Sequence, residues 1–185
     1  MLVMKENKRV QGFTLLEIVV SLGILSMLGI VLTQSFVSSV RTSTKGEITQ
    51  EVIQNGNYAV EVASRILLNS STVLSTCATG GTSSSSFEVT NPDGQNTTFG
   101  CVSDSGVLRI ASSSAFGVSY LTSNAVTLSG ASCASALTFV CKIVGDGNTT
   151  VKMTFSLLQK NADARVYEKA SFPFELFITL RNYKP

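Results

Sequence analysis

Histidine is missing from this chain of 185 residues. Its absence removes the usual base for a cysteine nucleophile and the nitrogen ligand of Cys/His metal sites. The four cysteines include no CxxC pair, which further argues against a metal site. The sequence also shows no Walker motif, no paired-carboxylate cleft and no Ser-His-Asp set. We therefore predict that the protein is not an enzyme and that it needs no metal or cofactor.

Charge is scarce as well, at 14% of all residues. The formal net charge of +2 comes from the first twelve residues, which hold three of the fourteen cations and one of the twelve anions. The remaining 173 residues carry eleven charges of each sign and contain no basic run. Electrostatic capture of nucleic acid needs such a basic surface, so no nucleic-acid partner is expected.

What the chain does have is a long apolar run near its start. Residues 13–32 contain a single charge, Glu17, and twenty helical residues rise about 30 Å, the thickness of a bilayer core. Cations precede this run, and the next one after it is Arg41. Positive flanks stay in the cytoplasm, so the run predicts one membrane span with its N-terminus inside and the rest of the chain outside.

The residues around the start of the run are distinctive: Gly12, Phe13, Thr14, two leucines and Glu17 follow a short basic segment. This pattern resembles the class III signal of type IV pilins and pseudopilins. The resemblance implies that prepilin peptidase cleaves between Gly12 and Phe13 and that the new N-terminal Phe13 is N-methylated. It also implies that Glu17 directs methylation and pairs with the terminal amine of a neighbouring subunit during assembly.

The same resemblance implies an α+β pilin fold, with a long N-terminal α-helix packed on a small antiparallel β-sheet. The expected parts are a leader (1–12), a transmembrane half of the helix (13–32), an amphipathic half (33–70) and a disulfide-containing sheet domain (71–185). The implied partners are prepilin peptidase, other pilin or pseudopilin subunits, the inner-membrane assembly platform and membrane lipid. The implied location is the cytoplasmic membrane and then a filament.

Helical periodicity continues beyond the apolar run and predicts one apolar face. The predicted face consists of Phe36, Val40, Thr44, Ile48, Val52, Ala59, Val62 and Ile66. Gly46 and Gly56 are expected to weaken this helix without breaking it. Within the span, the small residues Gly23, Ser26 and Gly29 indicate either close helix packing or a weak point.

Short alternating segments after the helix predict antiparallel strands. The predicted strands are 87–90, 97–102, 107–110, 126–128, 137–144, 149–158 and 172–181. Residues 77–86 read as a flexible loop that is either a linker or a contact surface, and 111–124 read as irregular. Residues 145–148 favour a tight hairpin turn, although Asp146 and Asn148 with Asp104 also suggest a calcium loop.

The cysteines lie at positions 77, 101, 133 and 141, all beyond the membrane span. An even number in an exported domain predicts two disulfides, for which three pairings are possible. The sequence-local pairing is favoured: Cys77 with Cys101 and Cys133 with Cys141.

Two functions follow from these observations. The first is a structural subunit, and the apolar last strand closing in Arg181-Asn182 resembles the C-terminal region of minor pilins and minor pseudopilins. The second is a binding module on a pilin anchor, which recognises a surface, a secreted substrate or DNA. A groove with exposed aromatics around Phe116 and Tyr120 would favour binding, whereas a domain with unremarkable loops would favour a scaffolding role. We expect the first function, a minor subunit of a type IV pilus or type II secretion pseudopilus.

Overall fold

A computed structural model describes residues 12–144, 148–160 and 170–180 of the chain. The chain divides into two compact units, Met1–Ser43 and Thr44–Pro185. The long helix α1 (Leu15–Asn69) contributes residues to both units. The predicted leader segment before Gly12, the turn residues 145–147 and the closing Arg181-Asn182 lie outside the described residues.

In the first unit, every described side chain from residue 12 to 43 is exposed. Helix α1 contains an 18-residue window with a mean hydropathy of 2.5, which makes it long and apolar enough to cross a membrane. Its hydroxyl groups bond to carbonyl oxygens one turn earlier, and these donors are Ser21, Ser26, Thr33 and Thr42. Such bonds satisfy polar groups inside the helix itself, as an apolar solvent requires.

The described residues of the second unit form the last turns of α1, ten strands and a short helix. The strands are β1 (Thr72–Val73), β2 (Thr82–Ser84), β3 (Ser86–Thr90), β4 (Asn96–Asp104), β5 (Val107–Ser114), β6 (Gly117–Tyr120), β7 (Val126–Leu128), β8 (Leu137–Val144), β9 (Asn148–Gln159) and β10 (Ser171–Leu180). Helix α2 (Cys133–Ala136) leads directly into β8. The α+β class is confirmed, and the layout is consistent with the pilin fold.

The strands form two sheets, and every pairing within them is antiparallel. The first sheet has the order β1-β3-β4-β5-β6. The second has the order β10-β9-β8-β2, and β7 also pairs with β9. Strand β10 lies at an edge, where Pro173 costs no hydrogen bond in the interior of the sheet. All seven predicted strands are present among the described residues.

Two segments that lack apolar alternation form strands nonetheless. The predicted loop 77–86 contains β2, whose Thr82 pairs with Cys141 of β8. The region 111–124, predicted as irregular, contains the end of β5 and all of β6. Both segments are rich in serine and threonine, so their pairing depends on backbone hydrogen bonds that a hydrophobic pattern does not reveal.

The turn between β4 and β5 shows the local chemistry that fixes strand register. Asp104 pairs with Val107, which leaves Ser105 and Gly106 as a two-residue loop. Both have positive φ, at 51° and 80°. Two residues in this region form the turn type that matches the twist of a hairpin, and glycine adopts it without steric cost.

Helix α1 packs on the sheets through about its last five turns. Its buried residues are Val52, Gly56, Ala59, Ala63 and Leu67. Phe36 and Val40 of the predicted apolar face are exposed, so burial of that face begins only at Val52. Gly56, which we expected only to weaken the helix, lies against the ring of Phe174, where a Cβ atom would overlap the ring.

Aromatic contacts join the elements around this helix. Phe174 of β10 stacks on Phe155 of β9 with ring centroids 5.2 Å apart. Phe87 of the first sheet stacks on Phe139 of the second at 5.8 Å. Both rings of the second pair are almost completely buried. The two sheets and the helix therefore share one hydrophobic core.

The disulfides pair differently from our expectation. Cys77 bonds to Cys141, and Cys101 bonds to Cys133. Cys133 cannot reach Cys141 because β8 is extended, and four strand residues span about 13 Å, whereas bridged Cα atoms lie within about 7 Å. Cys77 instead lies beside β8, where Ala78 accepts a hydrogen bond from Ile143. Cys101 on β4 lies beside α2.

We expect Gly56→Ala to destabilise the second unit by about 1–3 kcal/mol, because the added methyl group displaces the buried Phe174 ring. Gly46→Ala is the matched control, since its Cβ meets nothing within 4 Å. That control should stabilise the helix by about 0.5–1 kcal/mol. Denaturant unfolding followed by tyrosine fluorescence measures both, because all four tyrosines lie in this unit and the chain has no tryptophan. Equal effects of the two substitutions would contradict this packing.

Non-reducing peptide mapping should recover Cys77 linked to Cys141 and Cys101 linked to Cys133. These bonds close loops with sequence separations of 64 and 32 residues. By the chain-entropy estimate, replacing either pair by serine should lower the free energy of unfolding by about 4 kcal/mol. A peptide that links Cys77 to Cys101 would show that the described connectivity is wrong.

Candidate processing and assembly site

The first helical turn is organised by Thr14. Residues 12–14 are not helical, and α1 begins at Leu15. The carbonyl oxygen of Thr14 accepts hydrogen bonds from the backbone N–H groups of Glu17 and Ile18, at 3.1 and 3.2 Å. Its hydroxyl oxygen also accepts from the Glu17 N–H at 3.3 Å. Thr14 is therefore the N-cap of the helix, and its side chain helps satisfy an N–H that has no partner within the helix.

Sequence reasoning missed this role of Thr14, although a signal was present. A threonine followed three residues later by a glutamate is the capping-box pattern. Apolar residues at the N′ and N4 positions often accompany it, and here Phe13 and Ile18 occupy them. Part of the distinctive N-terminal pattern therefore has a structural purpose, which is to start the helix at a defined residue.

The predicted cleavage bond lies in non-helical backbone just before this cap. Phe13 is 78% exposed, and none of the described residues lies within 4 Å of a Cβ built on Gly12. The φ angle of Gly12 also lies outside the left-handed region that favours glycine. The described part of the fold therefore does not require glycine at position 12, and the Gly12–Phe13 bond lies outside the helix.

Glu17 occupies the third helical position, one turn after Phe13. Its exposed carboxylate has no hydrogen-bond or ion-pair partner within the part of the chain that the structure describes. The serine hydroxyls of the same apolar segment do have partners, the carbonyl oxygens one turn back. Placing a carboxylate at the centre of a membrane helix costs about 2.5–3.5 kcal/mol, and less near an end. A cationic group from another molecule would offset that cost.

The other singled-out residues lie in the second unit. Phe116, in the turn between β5 and β6, is 88% exposed, and Tyr120 is 40% exposed. The Arg109 guanidinium lies 3.9 Å from the centroid of the Tyr120 ring and forms an ion pair with Asp104 at 3.2 Å. This pairing uses the acidic group that we considered for a calcium loop, and Asp146 lies outside the described residues.

Comparison with known proteins yields one match. Residues 7–33 match the family model described as the prokaryotic N-terminal methylation motif. No curated protein and no solved structure gave a significant match to the chain.

The matched range contains Gly12, Phe13, Thr14 and Glu17 and ends within α1. It therefore includes the predicted cleavage bond, the N-cap and the unpaired carboxylate, but none of the β-strands. The chain carries the class III prepilin signal, and this signal, together with the α+β layout, supports its place in the type IV pilin and pseudopilin family.

Proposed function

We propose that the protein is a minor pilin or minor pseudopilin, a structural subunit that prepilin peptidase processes between Gly12 and Phe13. Assembly into a type IV pilus or a type II secretion pseudopilus follows. The observation that carries this proposal is the matched methylation motif, in which Glu17 lies unpaired one turn after the expected new N-terminus.

Processing at this bond keeps the apolar helix in the mature protein. An ordinary secretory signal is cut after its apolar region, which is then lost. Here the cut precedes residues 13–32, so they remain as the membrane-spanning half of α1. The leader cations keep the N-terminus in the cytoplasm. Residues 33–70 then form the outer half of the helix, and residues 71–185 form the exported domain.

Cleavage also creates a cationic group that can pair with the Glu17 carboxylate. Hydrolysis of the Gly12–Phe13 bond frees the α-amine of Phe13, which is protonated at neutral pH. That amine sits at the positive end of the helix dipole, where a cation is disfavoured. The Phe13 amine is then N-methylated. An ion pair between this amine and Glu17 of a neighbouring subunit stabilises both charges in lipid. Assembly is thereby coupled to processing, because the uncut chain has no amine at this position.

The remaining partners follow from the same route. Prepilin peptidase cleaves the chain and methylates Phe13 in the cytoplasmic membrane. The inner-membrane assembly platform then adds the processed chain to other pilin or pseudopilin subunits. Lipid surrounds the apolar half of α1 until then.

A second candidate function is a binding module on the same anchor, which would recognise a surface, a secreted substrate or DNA. The exposed Phe116 and Tyr120 favour it, since exposed aromatic side chains are enriched at recognition sites. The two functions are compatible in one molecule. If the Phe116→Ser variant enters the filament normally but no longer attaches to a target, both functions operate in one molecule.

The first experiment is to express the chain with and without prepilin peptidase and to measure its N-terminus by mass spectrometry. We expect loss of residues 1–12 and a methylated Phe13 only when the peptidase is present. A known prepilin in the same cells is the positive control. An uncut chain beside a processed control would refute the proposal and leave a single-span membrane protein.

Replacing Glu17 by leucine should leave membrane insertion intact, since the substitution removes an unfavourable charge from the apolar helix. Incorporation into a filament should be abolished, because the neighbouring amine loses its partner. The matched control is Ser21→Leu, one turn along the same helix face. Membrane fractionation and sheared-filament immunoblots measure the two effects. Normal incorporation of the Glu17 variant would contradict the assigned role.

A further inference from the structure

A pocket of about 290 Å³ lies between the edge strand β2 of the second sheet, with its neighbour β8, and strands β3 and β4 of the first sheet. Of the eleven described residues that line it, seven carry hydroxyl groups and one, Glu88, is charged. The hydroxyls come from the segment after β1, from all three residues of β2, and from Ser86 on β3 and Thr98 on β4. Its volume is close to the lower limit of ligand pockets in proteins.

The walls of this pocket are fixed to the rest of the fold. Cys141 lines the pocket and is bonded to Cys77, two residues after the lining residue Ser75. The Ser75 hydroxyl accepts a hydrogen bond from the Glu88 N–H at 2.8 Å. Thr82 of β2 pairs with Cys141. The disulfide, the Glu88–Ser75 hydrogen bond and the strand pairing of Thr82 thus fix the positions of the walls. A pre-formed site reduces the entropy cost of binding.

The polar groups of the pocket are available to a ligand. Glu88 and Thr98 lie directly opposite each other in the β3–β4 register, so their side chains emerge side by side on one face. Neither side-chain oxygen has a hydrogen-bond partner among the described residues. The same holds for the hydroxyls of Thr82, Ser83 and Ser86. Hydroxyl groups both donate and accept, whereas an ionised carboxylate accepts two or more bonds.

The lining chemistry narrows the class of ligand. Among the described residues, no lysine or arginine lines the pocket, which disfavours phosphate and carboxylate groups. A single carboxylate is too few ligands for calcium, which takes six to eight oxygens. The aromatic residues Phe87 and Phe139 are each 1% exposed, so they offer little surface to an apolar ligand. A neutral molecule with many hydroxyl groups matches the site best.

We propose that this pocket binds one or two units of a neutral saccharide, with Glu88 accepting hydrogen bonds from adjacent sugar hydroxyls. Thr98 and the threonine and serine residues of β2 exchange hydrogen bonds with the others. The pocket shares no residue with the N-terminal site, so this inference does not depend on filament assembly. It assigns the exported domain a ligand class of its own.

The test is a titration of the full chain in micelles, followed by ¹H–¹⁵N NMR. The detergent must be zwitterionic, because glycoside detergents would compete for the pocket. The probes are glucose, N-acetylglucosamine and their β-1,4-linked dimers. We expect saturable shifts of β2 and β3 amides with a dissociation constant of about 1–10 mM, as few atoms and only hydrogen bonds take part.

Two near-isosteric variants test the named groups. Glu88→Gln and Thr98→Val should each weaken binding by about tenfold while leaving the rest of the spectrum unchanged. Ser119→Ala, on β6 outside the pocket, should bind like the wild type.

Three outcomes would overturn the inference. The first is the absence of a saturable shift up to about 50 mM sugar, a concentration far above the expected dissociation constant. The second is equal binding by all variants. The third is binding of ethanolamine in preference to the neutral probes. The last would show that Glu88 selects a cation. The unchanged spectrum of each variant excludes misfolding as the cause of a lost signal.

Discussion

The contact between Gly56 and Phe174 fixes the distance at which helix α1 packs on the second sheet. The absence of a side chain at position 56 lets the phenylalanine ring lie directly on the helix backbone. Phe174 in turn stacks on Phe155, and this brings β9 and β10 under the same helix face. Ala59 and Ala63 continue the small surface, so the close approach extends over two further turns. The position of the second sheet on the helix depends on residues chosen for their small size.

The same helix meets two different solvents along its length. Between residues 12 and 43 its side chains are exposed and mostly apolar, and its hydroxyls bond within the helix. From Val52 onward one narrow face is buried, and the apolar side chains Val60, Val62 and Ile66 beside it are half-buried. Exposure of the first part is costly in water and favourable in lipid. Glu17 is the one charged residue in the apolar segment 13–32, and its position there is the basis for the proposed role in assembly.

The sequence predicted most of the architecture because the relevant signals are local. Hydropathy located α1, alternation located seven strands, and Gly12 with Glu17 indicated the family. The missed features depend on contacts between distant residues. Strand β2 forms because β8 offers it a free edge, and the disulfides follow the sheet rather than the spacing of cysteines. The pocket lined by serine and threonine residues likewise combines residues from both sheets, so no single segment of the sequence predicts it.

The two disulfides are nested, since the Cys77–Cys141 bond encloses both Cys101 and Cys133. A growing chain makes its first two cysteines before its last two, so the earliest possible bond joins partners that are separate in the folded protein. Native pairing therefore requires either that oxidation waits until β8 is in place or that an early bond is exchanged. Thiol–disulfide exchange of this kind takes seconds to hours and is accelerated by isomerases. The maturation of this domain is thus sensitive to the oxidative folding capacity of its compartment.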